Sequence, residues 1–484
     1  MAVVAPSTED DFARGLARWI GGPFGRHGAP RLARRGVFAV VLAVTYVVVV
    51  LAWLQKSPCI SHPWSNNFQY THYCYTDVSA LYYDERLSTL KIPYLDNETP
   101  GSNPPKYMEY PVLTGWYMLG AAEIAHHIEG PTTAESTAIA QGGAAAANAT
   151  AAVQARQAKV YFDVSAIGMG LAAVGAAVLV AMCAGRRRPW DAMMFAVAPV
   201  LLFYLDVNWD ILATLAAVAT LAAWGRRRWW LAGVLLGLGV SAKFYPLLLL
   251  PAIALVAYRA RQFRPFAKLC GTGVATWLIV NVPVWVANPA GFERFYSFNS
   301  HRPADFDSWT FAWQDYVFGS GHQWNVSSLN VTTGLLFVIC LAGIAVLALR
   351  AIEPPRLAQL AFLIVVAFLL TNKVYSPQYA VFLLPFVVLA RPRWGYFLAW
   401  QATEIALFLT RYLYFVNLGD STQGLTYTQY FLIGIVPRDL VLIGLASRVV
   451  QEIRRPSEDV VRTDEELDPL VTAQPWTAQP TLAT

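Results

Sequence analysis

Lys243, in SAKFYP, sits in the middle of an otherwise apolar run, where a lysine is costly to bury and where snorkelling from a turn lessens the cost without explaining the residue. A phosphate would explain it, because an ammonium is a compact point-charge partner for an anion. Asp206, Asn208 and Asp210 (DVNWD) interrupt the preceding apolar interval, and Asn372, Lys373, Tyr375 and Gln378 (TNKVYSPQY) interrupt a later one. Asn and Asp also serve as ordinary turn residues in such places. Asp77, in YCYTDVSALYYDERL, stands ahead of an expected short helix from Val78 to Leu87, where it either caps the helix or acts as a general base. Asp84 and Glu85 in the same segment are expected in solvent. Glu109, Tyr110 and Pro111 open an apolar stretch, 111–128; proline is ordinary at a helix start, while a carboxylate just before it can line a cavity. In SHRPADFDSW, Arg302 suits a phosphate. Asp305 and Asp307 have the Asp-x-Asp spacing that holds a metal in sugar transferases, although so short a motif does not support one and a solvated loop is expected. The set amounts to a proton acceptor, two phosphate-binding cations and polar groups to line a cavity.

Basic clusters define the elements that must position these residues. Arg186 to Arg188, Arg226 to Arg228, and Arg259, Arg261 and Arg264 are separated by apolar intervals. One helix crosses the hydrocarbon in about 20 residues, so each interval of roughly 30 to 36 residues fits a helical hairpin with both ends on one side. The positive-inside rule makes that side cytoplasmic and turns the polar midpoints outward. A third hairpin between Arg356 and Arg391 carries Lys373 at its tip. The expected architecture is an all-α polytopic membrane protein with about 12 transmembrane helices and two long extracytoplasmic loops, 56–110 and 288–330. Spans are expected near 36–55, 159–183, 190–206, 211–225, 229–242, 244–259, 266–287, 331–350, 357–371, 378–391, 394–411 and 430–448, with both termini cytoplasmic. Stretch 111–128 is either re-entrant or crosses back with the Ala-rich 138–157, which is expected to be helical and at least partly at the surface.

Composition agrees. The chain is 56% hydrophobic and 14% charged, with a mean hydropathy of +0.41 and a net charge of +5. The arginines flank apolar spans, which excludes a nucleic-acid partner in favour of membrane lipids. Gly36 to Gln55 is a retained first span rather than a cleaved leader. Residues 1–35 form a cytoplasmic segment, 36–455 the membrane domain, and 456–484 a polar, disordered cytoplasmic tail. Cys59 and Cys74 share the first outer loop, where a disulfide is plausible. No phosphate loop, dinucleotide fingerprint, nucleophile elbow or paired-histidine zinc spacing occurs, and no cofactor is expected.

The ordered set YTDVSALYY, EYPVLTG, YFDV, NWDILA and AKFYPLLLL, over roughly residues 36–310, resembles the membrane glycosyltransferases of the C superfamily. Within it the resemblance is to the family 87 mannosyltransferases of actinobacterial type, which use polyprenyl-phosphate mannose. It implies that Asp77 is the catalytic base, that Tyr110 with Pro111 forms a conserved element of the site, and that Lys243, Tyr245 and Pro246 form another. The implied function is transfer of a hexose, mannose above all, from a polyprenyl-phosphate donor to an extracytoplasmic glycan or glycolipid, with inversion. Asp77 is then the base, Lys243 and Arg302 hold the donor phosphate, and Glu109, Tyr110, Asn208, Asp210, Tyr245 and Lys373 line the cavity. The rival reading is a polytopic transporter or lipid flippase, for which polar residues at mid-span would form the substrate path.

Overall fold

The computed structural model describes residues 3–22, 32–62, 64–98, 101–102, 105–319, 323–419 and 423–462. Helices dominate, and no strand occurs among the described residues. The main elements are α1 (Asp11–Gly21), α2 (Arg34–Ser61), α3 (Asp77–Asp84), α4 (Val112–Ile128), α5 (Thr133–Gln141), α6 (Gly143–Cys183), α7 (Pro199–Tyr204), α8 (Asp210–Gly225) and α9 (Trp229–Ala242). They continue as α10 (Leu249–Arg259), α11 (Phe263–Ala287), α12 (Pro289–His301), α13 (Trp309–Phe318), α14 (Val326–Arg350), α15 (Leu357–Thr371), α16 (Ala380–Ala390), α17 (Trp394–Gly419) and α18 (Val436–Arg454).

Five helical segments among the described residues are long and apolar enough to cross a membrane: α2, α6, α11, α14 and the stretch Tyr427–Arg454 that ends in α18. The other apolar helices are shorter and pair across the polar interruptions read from the sequence. Expected span 190–206 is broken into Ala192–Ala196 and α7, because Pro199 has no N–H to continue the first helix. Pro246 likewise starts a 3₁₀ turn, Tyr245–Leu248, before α10. Glycines bring backbones together where α9 crosses α11. A Cβ at Gly233 would lie 2.3 Å from the Leu269 carbonyl oxygen, and one at Gly237 would lie 2.5 Å from that of Gly273.

Helix α6 is a ruler for the molecule. Near its middle, Asp163 accepts a 2.8 Å hydrogen bond from the Trp53 indole of α2, and from Asp163 to Cys183 the helix rises about 30 Å, one hydrocarbon thickness. Its first twenty residues therefore project beyond the bundle. Helix α4 runs antiparallel to that projection: Tyr117 Oη donates to Ser165 O at 2.8 Å, and Gln157 donates to Glu129 O at 2.9 Å. Stretch 111–128 is one continuous helix packed on the first half of α6, and it climbs away from the arginine-rich end. Helix α5 folds back on α6, held by Arg156, which binds both Glu129 and Glu135.

The arginine clusters meet at one end. Arg356, almost fully buried, donates to Asp459 at 2.7 Å and to the carbonyls of Leu389 and Ala390, while Arg188 reaches Val460 O. Residues 456–462 are therefore folded into the bundle, contrary to the expectation of disorder from 456; positions 463–484 lie outside the described residues. At the opposite end Cys59 and Cys74 form a disulfide, closing the loop just ahead of Asp77.

Candidate active site

The site lies at the end away from the arginines, where three tips converge. The backbone N–H of Asp77 donates to Val207 O at 2.9 Å, and Thr76 Oγ1 donates to Asp206 O at 2.6 Å, so the strand of loop before α3 is tied to the α7–α8 tip. Thr76 also caps α3, accepting from Val78 N at 3.1 Å. Asp77 is the first helical residue, and its carboxylate is relieved of the capping role.

That carboxylate is held from two sides. Tyr75 Oη donates to Oδ1 at 2.7 Å, and Asn208 Nδ2 donates to Oδ2 at 2.8 Å. The same Asn208 amide donates to Tyr110 Oη at 2.7 Å, and its carbonyl faces Lys243 Nζ at 3.4 Å. Each Asp77 oxygen keeps one lone pair free of these bonds. The charge of Asp77, with burial, pushes the Tyr75 phenol far above its ordinary value, so Tyr75 stays a donor. Tyr110 is pushed up as well, by burial first and then by Asp77.

Lys243 does not stand alone. Its ammonium lies 2.5 Å from Asp210, which is almost fully buried, and 5.5 and 5.8 Å from the rings of Tyr110 and Tyr379. The buried lysine of the sequence is thus half of an ion pair built across two hairpins. Arg302 donates to Asp305 at 2.9 Å, and Ser376 donates to the same carboxylate. Burial works against the Arg302 charge, but Asp305 outweighs it and holds the guanidinium above its usual value, with Tyr379, Tyr110 and Asp77 adding to the field. Lys373 donates to Arg302 O at 2.7 Å and Ser300 O at 3.2 Å; burial, and then Arg302, lowers it to about 8.

Of the expected site residues, Asp77, Tyr110, Asn208, Asp210 and Lys243 form one connected network, with Arg302 and Lys373 on a neighbouring wall. Tyr245 is elsewhere, stacked on Phe382 with ring centroids 3.8 Å apart and buried in the core. Glu109 pairs with Arg294 on the outer loop. Asp305 and Asp307 are buried, not solvated: Asp307 binds Arg411 and Tyr430, and its backbone carbonyl accepts from Arg438. No cluster of three or more His, Cys, Asp or Glu suited to a metal occurs among the described residues. Sequence reading passed over Tyr75, Tyr379 and Lys56. Lys56 is fully buried over the Phe408 ring at 5.4 Å, within electrostatic reach of Asp206 and Asp77, and its place at the end of the first apolar stretch reads as a mere boundary.

Glu85, expected in solvent, is buried beside the carboxyl of Glu98, with Glu109, Lys106 and Arg294 around the pair. Burial and then Glu98 push Glu85 up to about 10. A carboxyl raised in the folded state holds a proton that the unfolded chain releases above about 4.5, so its stabilising effect fades as pH rises from there toward about 10. Each unit of difference is worth about 1.4 kcal/mol at a pH above both values. Glu85→Gln, which keeps a donor for Glu98, should therefore melt like the parent at pH 4.5 and higher than the parent at pH 8. Equal melting at both would mean that the pair carries no shared proton.

Residues 150–377 match glycosyltransferase family 87. That segment holds Asn208, Asp210, Lys243, Arg302 and Lys373, while Asp77 and Tyr110 precede it. No curated protein matches the chain. Among solved structures it is similar to the Archaeoglobus fulgidus oligosaccharyltransferase in its apo form, at 14% identity and a TM-score of 0.34. The similarity covers 84% of this chain and 56% of that one, so the chain spans little more than half the length of that structure. Over residues 150–377, a little under half of its length, this polytopic helical membrane protein is thus similar to glycosyltransferase family 87.

Proposed function

We propose that the protein transfers a hexose, mannose by preference, from a polyprenyl-phosphate donor to a hydroxyl of an envelope glycan or glycolipid at the outer membrane face. The observation that carries this reading is the Asp77 carboxylate, fixed between Tyr75 and Asn208 with a free lone pair on each oxygen and within electrostatic reach of Arg302. The acceptor hydroxyl attacks the anomeric carbon as its proton passes to Asp77. The bond from that carbon to the phosphate oxygen breaks, and polyprenyl phosphate leaves with the electron pair. A single displacement inverts the anomeric centre.

Lys243 is ion-paired with Asp210 and Arg302 with Asp305, so what Arg302 offers the phosphate is its unbonded N–H donors rather than a full charge. Only one of its guanidinium nitrogens is bonded to Asp305, which leaves donors for an anion. Lys373 sets the backbone from which Arg302 extends. A donor already attached to lipid needs no nucleotide site. The arginine clusters gathered at the other end support the outer-face assignment. The similarity of residues 150–377 to a glycosyltransferase family weighs against the transporter reading.

The test is incubation of the purified protein with radiolabelled polyprenyl-phosphate mannose and an envelope lipid extract. A labelled glycolipid or glycan is expected, and none from a nucleotide-activated sugar; the reverse pattern would sink the proposal. For the face, a cysteine placed at position 302 should react with an impermeant thiol reagent in intact cells, and one at position 227 should not.

A further inference from the structure

At the arginine-rich end, between the start of α17 and the end of α18, a cleft of about 440 Å³ is lined by Arg391, Arg393, Arg448, Gln451, Glu452 and Glu458. Its acids are partly engaged. Glu452 Oε1 forms an ion pair with Arg391 Nε at 2.9 Å while its other oxygen is buried without a hydrogen-bond partner, and Glu458 accepts from Gln451 at 2.6 Å and from Arg455 at 3.2 Å. Its arginines have donors left over. Arg391 Nη1 and Arg393 Nε are buried without a hydrogen-bond partner, and Arg393 makes no side-chain ion pair among the described residues. Buried N–H groups without acceptors are unfavourable and call for a ligand, ion or water.

The arrangement is held rigidly. Arg448 Nε donates to Tyr396 Oη at 2.8 Å and Nη1 to Gln451 at 3.0 Å. The guanidiniums of Arg391 and Arg448 lie 4.7 and 5.5 Å from the Tyr396 ring. Burial, with Arg393 adding to it, holds Arg391 below its ordinary value. Three guanidiniums share the cleft with two carboxylates, one of them paired with Arg391, so the cleft keeps a net positive charge.

We propose that this cleft binds the phosphate of an anionic membrane lipid. Guanidinium forks match phosphate oxygens in geometry as well as charge. The lipid source follows from α18, where Leu440, Ile443 and Ser447 form an exposed stripe that ends at Arg448. Residues three and four apart share a helix face, so an acyl chain lying along the stripe delivers its headgroup to the guanidiniums. Free phosphate offers the same anion without that second contact. The cleft is at the opposite end of the bundle from Asp77 and is separate from the transfer site.

The test uses the full-length protein in a neutral detergent, melted against dioctanoyl phosphatidylglycerol, dioctanoyl phosphatidylcholine or inorganic phosphate. Phosphatidylglycerol should raise the melting temperature saturably and the other two should not. Arg393→Gln with Arg448→Gln should raise the half-saturating concentration at least tenfold. Arg227→Gln with Arg228→Gln removes the same charge from an exposed loop at the same end and should leave the response intact. Equal loss in the loop variant would reduce the effect to bulk charge and overturn the proposal. So would an equal response to phosphatidylcholine, or a response to inorganic phosphate alone, which would identify a soluble anion. If the double variant does not fold, Arg393→Lys keeps the charge and loses the fork; it should weaken phosphatidylglycerol severalfold, and unchanged affinity would also overturn the site.

Discussion

Asp77→Asn should lower transfer by about 10²–10⁴-fold, the range that a positioned general base supplies, while shifting stability by less than about 1 kcal/mol. The prediction separates chemistry from architecture because Thr76, not Asp77, caps α3, and because the backbone bond from residue 77 to Val207 does not depend on the side chain. Asparagine keeps the shape and one carbonyl acceptor but takes no proton from the acceptor hydroxyl. Tyr75→Phe should have a smaller effect, about tenfold, since it frees one carboxylate oxygen without removing the base. Single-turnover transfer and thermal melting on the same preparations decide the matter. Residual turnover above a tenth of the parent in Asp77→Asn would assign the base elsewhere.

Lys243→Ala should destabilise the protein by about 3–5 kcal/mol, because it strands the buried Asp210 carboxylate without its counter-charge. Adding Asp210→Asn removes the stranded charge and should restore most of that loss. If Lys243 also meets the donor phosphate, the double variant will be stable and yet bind the donor poorly, with affinity down roughly tenfold or more. A double variant that regains stability and donor affinity together would make the pair purely structural. One that regains neither would show that Asn208 needs the ammonium on its carbonyl side to hold Asp77.

The spacing of the arginine clusters located the hairpins, and with them the tips that carry Asn208, Asp210, Lys243 and Lys373, because both the clusters and the polar interruptions answer to one physical constraint, the thickness of the bilayer. What lay beyond reach were the pairings between tips. Nothing local to Lys243 points to Asp210, two helices earlier, and nothing local to Asp307 points to Arg411, Tyr430 and Arg438. Composition misled at Glu85: a carboxylate beside Asp84 and Arg86 reads as surface, yet the loop folds over it and supplies Glu98 as a partner. Tyr245 misled in the opposite sense, since a tyrosine expected to line the cavity lies in the core with its ring stacked on Phe382. The direction of α4 was also hidden, because an apolar helix has the same composition inside a bilayer and packed against the projecting part of α6.

The bonds that define the Asp77 network join residues far apart in the chain: Asp77 to Val207 and Asn208, Asn208 to Lys243, and Lys243 against the Tyr379 ring. Contacts of such long sequence separation are made late, after the entropy of closing the intervening loops has been offset by local helix formation and packing. During synthesis the first outer loop leaves the ribosome well before the residues that orient its aspartate, and the ring that completes the lysine's surroundings emerges later still. On the proposed function, a partly inserted chain carries Asp77 without the geometry that makes it a base. Transfer activity then becomes a report on completed assembly, with a nascent or truncated protein chemically silent among hydroxyl-bearing lipids.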